Sequence, residues 1–256
     1  MKNPHETVSQ KETAFEMLLE QVTELGQQKN IEQLSKMLEL SPELLAFSAS
    51  CSGEGLRKGT LPVGDREEEI THFSHMCRVA SMVHHFFPED LFSRALAMGH
   101  DLKEEPAPGK EDEWKNLDEV SKIEGLSRAV AILTEEMPTQ EEIELAAKEI
   151  SREFDAVYIA KYRTFLATLS EHWNTIGHLE LCDRLDGATS FAYLQDPKYD
   201  NRRKYKALET FGRIWATLAL SDNLVLTDRI KESCGAWFEG FDVTEEEVEK
   251  TATYFK

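Results

Sequence analysis

The chain has 256 residues and a formal charge of −19 at pH 7, with 41% hydrophobic and 30% charged residues. This size allows one substantial hydrophobic core, or one core with a small helical addition. The negative charge argues against a nucleic-acid polymer or an anionic membrane as the main partner, because most of the surface would repel both. A small phosphorylated ligand remains compatible, since clustered cations or a bound divalent metal can reverse the potential locally.

Neither the first residues of this sequence nor its cysteine spacing indicates export. The first residues are rich in Lys and Glu instead of forming an apolar segment with a cleavage site, and no later apolar run approaches the length of a membrane span. We therefore expect a cytoplasmic protein without a membrane segment. The four cysteines lack the paired spacing of zinc or redox sites, so we expect buried or incidental thiols at Cys51, Cys77, Cys182 and Cys234.

Helical spacing of apolar residues dominates the chain, and no stretch alternates in the way of strands joined by hairpin turns. The fold class is therefore predicted to be all-α. The first helices are predicted over residues 7–26 and 31–40, and Ser41-Pro42 is typical of a helix start, with serine as cap and proline in the first turn. A loop rich in Ser, Gly and Pro is predicted over residues 48–64.

The later segments continue the helical pattern. Two prolines and a glycine over residues 106–109 predict a break after the helix that precedes them. Further helices are predicted over residues 67–86, 88–102, 113–120, 124–135, 139–171, 173–193 and 200–220, with a terminal one from about residue 244.

The run from Leu96 to Glu105 contains an adjacent His100-Asp101 pair at the end of an apolar helix. Neighbouring side chains on a helix diverge by about 100°, so the pair can hold an ion from two sides at a helix end. Mixed nitrogen and oxygen ligands suit a divalent ion such as manganese, iron, magnesium or zinc, with positions left for water and substrate. Such an ion lowers the pKa of its water and neutralises phosphate charge.

Two carboxylates follow this pair by four residues each. Glu104 and Glu105 would project beside the ion if the helix continues past His100 and Asp101. Glu104 is the stronger candidate for orienting the attacking water or carrying its proton.

Other histidines and acids decide whether a complete ligand set exists. His75 on the preceding helix and Asp183 on a later one would complete two imidazoles and two carboxylates. A His-Asp dipeptide alone is more often a surface or core feature than a metal site. The adjacent His84-His85 pair is the strongest competing set of ligands, and the remaining competitors are His72, His172 and His178.

The order of four segments resembles the HD superfamily of metal-dependent phosphohydrolases, most closely the hydrolase domain of RelA/SpoT-type alarmone enzymes and their small stand-alone relatives. The resemblance covers about residues 53–220. It rests on an Arg-Lys-x-Thr segment, a histidine helix, the His-Asp pair and a Cys-Asp-Arg-Leu element, found here as Arg57-Lys58-Gly59-Thr60, His75-Met76-Cys77-Arg78-Val79-Ala80, Gly99-His100-Asp101 and Leu181-Cys182-Asp183-Arg184-Leu185. It implies a multi-helix HD domain over residues 51–222, a helical extension over residues 1–50 and a C-terminal helical segment over residues 223–256 packed on that domain.

The resemblance also implies roles for individual residues. Manganese would be bound by His75, His100, Asp101 and Asp183, and Glu104 and Glu105 would occupy the family's Glu-Asp catalytic positions. The nucleotide would be contacted by Arg57, Lys58 and Thr60. The implied reaction removes pyrophosphate from the 3′ position of guanosine tetraphosphate or pentaphosphate.

Two alternatives stay open at this point. Asp186-Gly187 stands where relatives carry an asparagine that helps hold the nucleotide, so another nucleoside phosphate is an alternative substrate. A nucleotide-sensing protein with slow or no turnover is the alternative from another class. Its N-terminal helices would engage a protein partner or a second copy.

Several further residues are candidate ligand contacts. Ser190 is a candidate for a hydrogen bond to ribose or phosphate. Two interpretations are open for Trp173, Phe191 and Tyr193, which are stacking on a base and a position in the core. Two are also open for Arg202-Arg203-Lys204, which are substrate binding and a solvated helical face, and Arg184 is expected to brace helices.

Overall fold

The computed structural model describes residues 4–53, 56–63, 66–134, 136–188, 191, 194 and 201–256, and for residues 4–13, 56–63 and 66–69 it describes the backbone alone. The predicted all-α class is confirmed: helices form most of this part of the chain, and the named strands found in it form one two-stranded sheet. The chain divides into two compact units, Met1–Val130 and Ala131–Lys256. The predicted bounds 1–50, 51–222 and 223–256 stay a prediction.

The first unit holds three N-terminal helices, a β-hairpin and a further set of helices. In chain order these elements are α1 (Pro4–Gln27), α2 (Ile31–Leu38), α3 (Pro42–Cys51), β1 (Leu56–Val63), β2 (Arg66–Thr71), α4 (His72–Phe86), α5 (Leu91–Ala97), α6 (Leu117–Ser121) and α7 (Leu126–Leu133), within which the boundary falls.

Helix α4 is the centre of the first unit. Its residues from His72 to Val83 are all buried, and α1, α2 and α5 pack against it. On α1 the buried side chains include Phe15, Leu19, Val22 and Leu25. Burial of apolar area at about 25 cal/mol per Å² makes this packing the main stabilising contribution to the unit.

The start predicted at Ser41-Pro42 is confirmed. The Ser41 hydroxyl accepts a hydrogen bond from the Leu44 N–H at 3.2 Å, and Pro42 opens α3. The loop predicted over residues 48–64 is wrong, because α3 continues to Cys51 and residues 56–63 form β1.

The hairpin also corrects the helix predicted over residues 67–86. Strand β2 pairs antiparallel with β1, with Val63 opposite Arg66 and Leu56 opposite Thr71. Helix α4 begins only after Thr71, because the Thr71 hydroxyl caps it by accepting from the Ser74 N–H at 3.1 Å.

The second unit is built from six helices in the part of the chain that the structure describes. They are α8 (Gln140–Glu149), α9 (Ala156–Ala188), α10 (Arg203–Leu218), α11 (Leu224–Gly235), α12 (Phe238–Phe241) and α13 (Glu245–Ala252). The predictions of helices over 139–171 and 173–193 are wrong in their division. The break lies between α8 and α9, and α9 runs through residues 171–173 without interruption.

Aromatic side chains fill the interior of the second unit. Phe211 on α10 contacts Phe191 and Phe238, with ring centroids 4.9 and 5.2 Å apart. Tyr162 on α9 approaches Phe255 near the C-terminus in an edge-on arrangement. Phe191 therefore belongs to the core, in agreement with one of its two interpretations.

The four cysteines are buried, in agreement with the expectation from the sequence. All four cysteines are buried and free, and burial raises the pKa of the Cys234 thiol to about 12. Among the described helices, none is both long enough and apolar enough to cross a membrane.

Candidate metal centre

The His75 side chain projects from the first turns of α4 and is completely buried. Two contacts with α1 fix how α4 is turned about its axis. The Ser74 hydroxyl donates to the Thr23 carbonyl at 3.0 Å, and Arg78 Nη1 donates to the Thr23 hydroxyl at 2.9 Å. The imidazole of His75 is therefore held in one direction by residues on either side of it.

His100 lies beyond the end of α5, in a turn. Helix α5 ends at Ala97, whereas the sequence predicted a helix to residue 102. The chain tightens here, since the Gly99 N–H donates to the Leu96 carbonyl at 2.9 Å. A Cβ atom at Gly99 would lie 2.6 Å from Leu117 Cδ1, so only glycine allows the turn to lie this close to the start of α6.

A backbone contact fixes the proton on His100. Its Nδ1 lies 2.8 Å from the Ala97 carbonyl oxygen, which can only accept a hydrogen bond. The proton is therefore on Nδ1, and Nε2 of His100 presents a lone pair. Metal-binding histidines commonly use the second ring nitrogen in this way to orient the ring.

Three candidate ligand side chains meet within the first unit. The two Nε2 atoms of His75 and His100 lie 3.2 Å apart. The Asp101 carboxylate lies 3.5 Å from His75 Nε2 through Oδ2 and 3.3 Å from His100 Nε2 through Oδ1. We call these residues the His75–His100–Asp101 centre.

These separations suit ligands of one cation. Two nitrogen atoms at 3.2 Å subtend roughly 100° at an ion with bonds of about 2.1 Å, an angle close to tetrahedral and octahedral values. Two imidazoles and a carboxylate on one side of an ion leave the other side for water or substrate. The donor set is therefore of a kind that can hold a divalent metal, and its binding of manganese stays a prediction.

The two glutamates do not lie on a continuing helix. Both backbone N–H groups, of Glu104 and Glu105, donate to the Asp101 carbonyl, at 3.1 and 2.9 Å, in a turn. The side chains are exposed. The condition attached to the prediction, that the helix continues past Asp101, is therefore not met, because α5 ends at Ala97 and the chain folds into turns.

A short bridge to the end of α3 holds the Glu105 backbone in place. The Gly53 N–H donates to the Glu105 carbonyl at 3.1 Å, and the Ala107 N–H donates to the Cys51 carbonyl at 2.7 Å. The Glu105 carboxylate lies 3.9 Å from Nε2 of His72, one turn before His75. Sequence reasoning treated His72 only as a competing ligand and missed its place beside Glu105.

Asp183 lies on α9 in the second unit, and its addition to the ligand set stays a prediction. Its Oδ2 lies 3.6 Å from Arg184 Nη1. Arg184 also pairs with Glu180, to which its Nε donates at 2.6 Å. Burial raises the pKa of the Glu180 carboxyl, although the Arg184 charge opposes that rise.

The same network shifts the arginine. Burial alone would lower the pKa of Arg184, but the charges of Glu180, Asp183 and Tyr162 together outweigh burial and raise it. Arg184 therefore neutralises carboxylates of its own helix α9.

For the predicted substrate-binding residues, the structure describes either the backbone alone or nothing. Arg57, Lys58 and Thr60 lie on β1 and not in a loop, and their backbone alone is described. Ser190 and Tyr193 lie outside the described residues. Their binding roles stay predictions.

The competing residues have other contacts. His84 Nδ1 bonds to Arg94 Nη1, and the His85 ring packs on Phe15 with centroids 4.4 Å apart.

The basic Arg202-Arg203-Lys204 stretch is partly neutralised, because Arg202 Nη2 lies 3.1 Å from Glu209 Oε1 and Lys204 Nζ lies 2.8 Å from Glu247 Oε1.

Comparison with models of known protein families, with characterised proteins and with solved structures finds no match.

Proposed function

We propose that this protein is a metal-dependent nucleotide phosphohydrolase that removes pyrophosphate from the 3′ position of an alarmone-like guanosine nucleotide. The observation that carries the proposal is the convergence of His75, His100 and Asp101, with donor atoms 3.2–3.5 Å apart. The substrate class comes from the resemblance to RelA/SpoT-type hydrolases. A small nucleotide also agrees with the net charge of −19, which disfavours a nucleic-acid polymer.

The donor set supports a cation at this position more than a purely structural role. His75 is fully buried and its Nε2 faces a carboxylate and a second imidazole. His100 directs its lone pair to the same point, because its other nitrogen is bound to Ala97. We propose Mn²⁺ as the ion and Asp183 as its fourth protein ligand.

Glu104 and Glu105 are proposed to assist the attacking water beside the cation. When bound, a divalent cation lowers the pKa of a coordinated water and neutralises phosphate charge. Glu104 and Glu105 are exposed on the turn that follows Asp101, where a carboxylate can accept a proton from the attacking water. The bridge to α3 limits the movement of Glu105, which favours a defined position for its carboxylate.

Cationic side chains are proposed to hold the phosphates. Arg57 offers a two-point contact to a phosphate and Lys58 a point charge. Thr60 on the same strand and Ser190 are proposed to donate hydroxyl hydrogen bonds to the nucleotide.

The proposal is tested by incubating the Mn²⁺-loaded protein with guanosine tetraphosphate and measuring released pyrophosphate. We expect release by the unaltered protein and only background release by Asp101→Asn, which keeps the side-chain shape and removes the charge. Asp112→Asn is the matched control, because Asp112 is an exposed carboxylate paired with Lys115. Full activity of Asp101→Asn would contradict the proposed site.

A panel of other nucleotides tests the substrate assignment separately. Faster cleavage of another nucleoside phosphate would contradict the alarmone substrate and keep the metal chemistry. Tight nucleotide binding without any product, in the presence of Mn²⁺, would contradict the hydrolase and favour a sensing protein.

A further inference from the structure

A buried guanidinium joins the ends of three helices in the first unit. Arg94 on α5 is 5% exposed, and its Nη1 bonds to Nδ1 of His84 near the end of α4. The same Nη1 lies 3.4 Å from Oε2 of Glu39, the residue that ends α2 in a left-handed conformation. We call this set the His84–Arg94–Glu39 cluster.

The hydrogen bond in this cluster requires a neutral imidazole. A guanidinium has only donors, so Nδ1 of His84 must accept and must carry no proton. The Nε atom of Arg94 is buried and has no hydrogen-bond partner among the described residues. Loss of the His84 contact would therefore add a second unsatisfied donor on a buried charged group, which is costly.

The charges around His84 act in a definite direction. Burial and the Arg94 charge on α5 lower the pKa of His84, and the Glu39 charge at the end of α2 opposes them. On α4 itself the neighbouring His85 is exposed and packs against Phe15 of α1. Protonation of His84 would place two cations in contact across the α4 and α5 helices.

We propose that the His84–Arg94–Glu39 cluster is an acid-sensitive joint, in which uptake of a proton by His84 breaks its bond to Arg94 and loosens α4 from α5. The cluster lies outside the His75–His100–Asp101 centre, so the joint does not depend on the reaction proposed above. The two helices nevertheless carry His75 and lead into His100. Mild acid would therefore loosen the support of that centre.

The sign of the pH effect follows from linkage. An unfolded chain protonates His84 at about pH 6.5, whereas the lower pKa in the folded chain keeps His84 neutral at lower pH. The contribution of the cluster to stability is therefore complete above that pH. It is lost as the pH falls below it.

The first test measures urea unfolding of the full chain, without added metal, between pH 8 and pH 5. His84→Gln keeps a hydrogen-bond acceptor and cannot titrate, so we expect its urea midpoint to fall less on acidification than that of the unaltered chain. His85→Gln is the matched control and should follow the unaltered chain. Equal pH dependence of the unaltered chain and His84→Gln would overturn the proposal.

A second measurement follows the proton on His84 directly. In an NMR titration of the folded chain, we expect the pKa of His84 to lie below that of a free histidine. Arg94→Met should raise it and Glu39→Gln should lower it further. A His84 pKa at or above the free value in the unaltered chain would also overturn the proposal, whatever the stability of the variants.

Discussion

The two units of the molecule surround fully or partly buried carboxylates with different partners. In the first unit, the Asp101 carboxylate faces the imidazoles of His75 and His100, which can act as neutral donors. In the second unit, Glu180 and Asp183 face the guanidinium of Arg184. Acidic residues alone therefore do not mark a cation site. Beside Glu180 the guanidinium of Arg184 already supplies the positive charge, whereas the neighbours of Asp101 are themselves possible metal ligands.

Removing the built-in cation gives the largest expected effect on stability. Arg184→Met leaves Glu180, 3% exposed, without its main partner, and breaking a buried pair costs about 3–5 kcal/mol. Urea unfolding at pH 7 measures this loss in the free energy of unfolding.

An exposed ion pair supplies the control for that variant. Lys36→Met removes the partner of Glu32 on the surface of α2, where both side chains are exposed and such a pair contributes little to stability. Equal losses for Arg184→Met and Lys36→Met would contradict the contrast drawn between the units.

Overpacking the turn that carries His100 gives a smaller expected loss of stability, and it also affects the His75–His100–Asp101 centre. In Gly99→Ala the new Cβ would meet Leu117 Cδ1 at 2.6 Å, and overpacking of this kind costs about 1–3 kcal/mol. We expect both a lower free energy of unfolding and weaker Mn²⁺ binding, because His100 follows directly. Gly235→Ala is the control, since nothing lies within 4 Å of a Cβ there. A stability change in Gly99→Ala no larger than in the control would contradict the close contact inferred between this turn and Leu117.

Asp118 is a third kind of carboxylate, because hydrogen bonds and not a cation stabilise its charge. Replacing it gives the smallest expected effect. Burial would raise the pKa of Asp118, but hydrogen bonds from Ser127, Gly125 and Leu126 outweigh it and hold the pKa below 3.8. The stabilisation is therefore present above about pH 3.8 and is lost as the pH falls through the lower folded-state pKa. We expect the Tm difference between the unaltered chain and Asp118→Asn to shrink below that pH. A constant difference from pH 6 to pH 3 would contradict this role.

Helix positions with strong local signals could be predicted, and those set by tertiary contacts could not. The Ser41-Pro42 pair is a local signal for a helix start, and Ser41 caps α3. At the start of α8, Thr139 and Glu142 form a capping box, which is also a local signal. The break before α9 has no glycine or proline. It depends on Asp155, whose Oδ1 accepts from the Val157 and Tyr158 N–H groups and whose own N–H donates to Glu209 on α10.

The hairpin was missed for a similar reason. The run Glu67-Glu68-Glu69 in β2 is poor in β-branched residues, and its strand conformation depends on pairing with β1. Sequence spacing alone contains no record of that pairing.

Three of the four predicted ligands lie in one unit, where their side chains approach one another to 3.2–3.5 Å. The His-Asp pair and the histidine helix were visible as local motifs. The features that complete the centre were not visible, because the Ala97 carbonyl that fixes the His100 tautomer and the Leu117 contact that requires Gly99 depend on the end of α5 and the packing of α6.

Mn²⁺ binding to the metal-stripped full chain tests the central claim most directly. Isothermal titration should give one tight site in the unaltered chain and in the control His85→Gln, and that site should be lost in both His75→Gln and His100→Gln. Retention of the same site by these two variants would contradict the His75–His100–Asp101 centre, and so would the lack of any tight site in the unaltered chain.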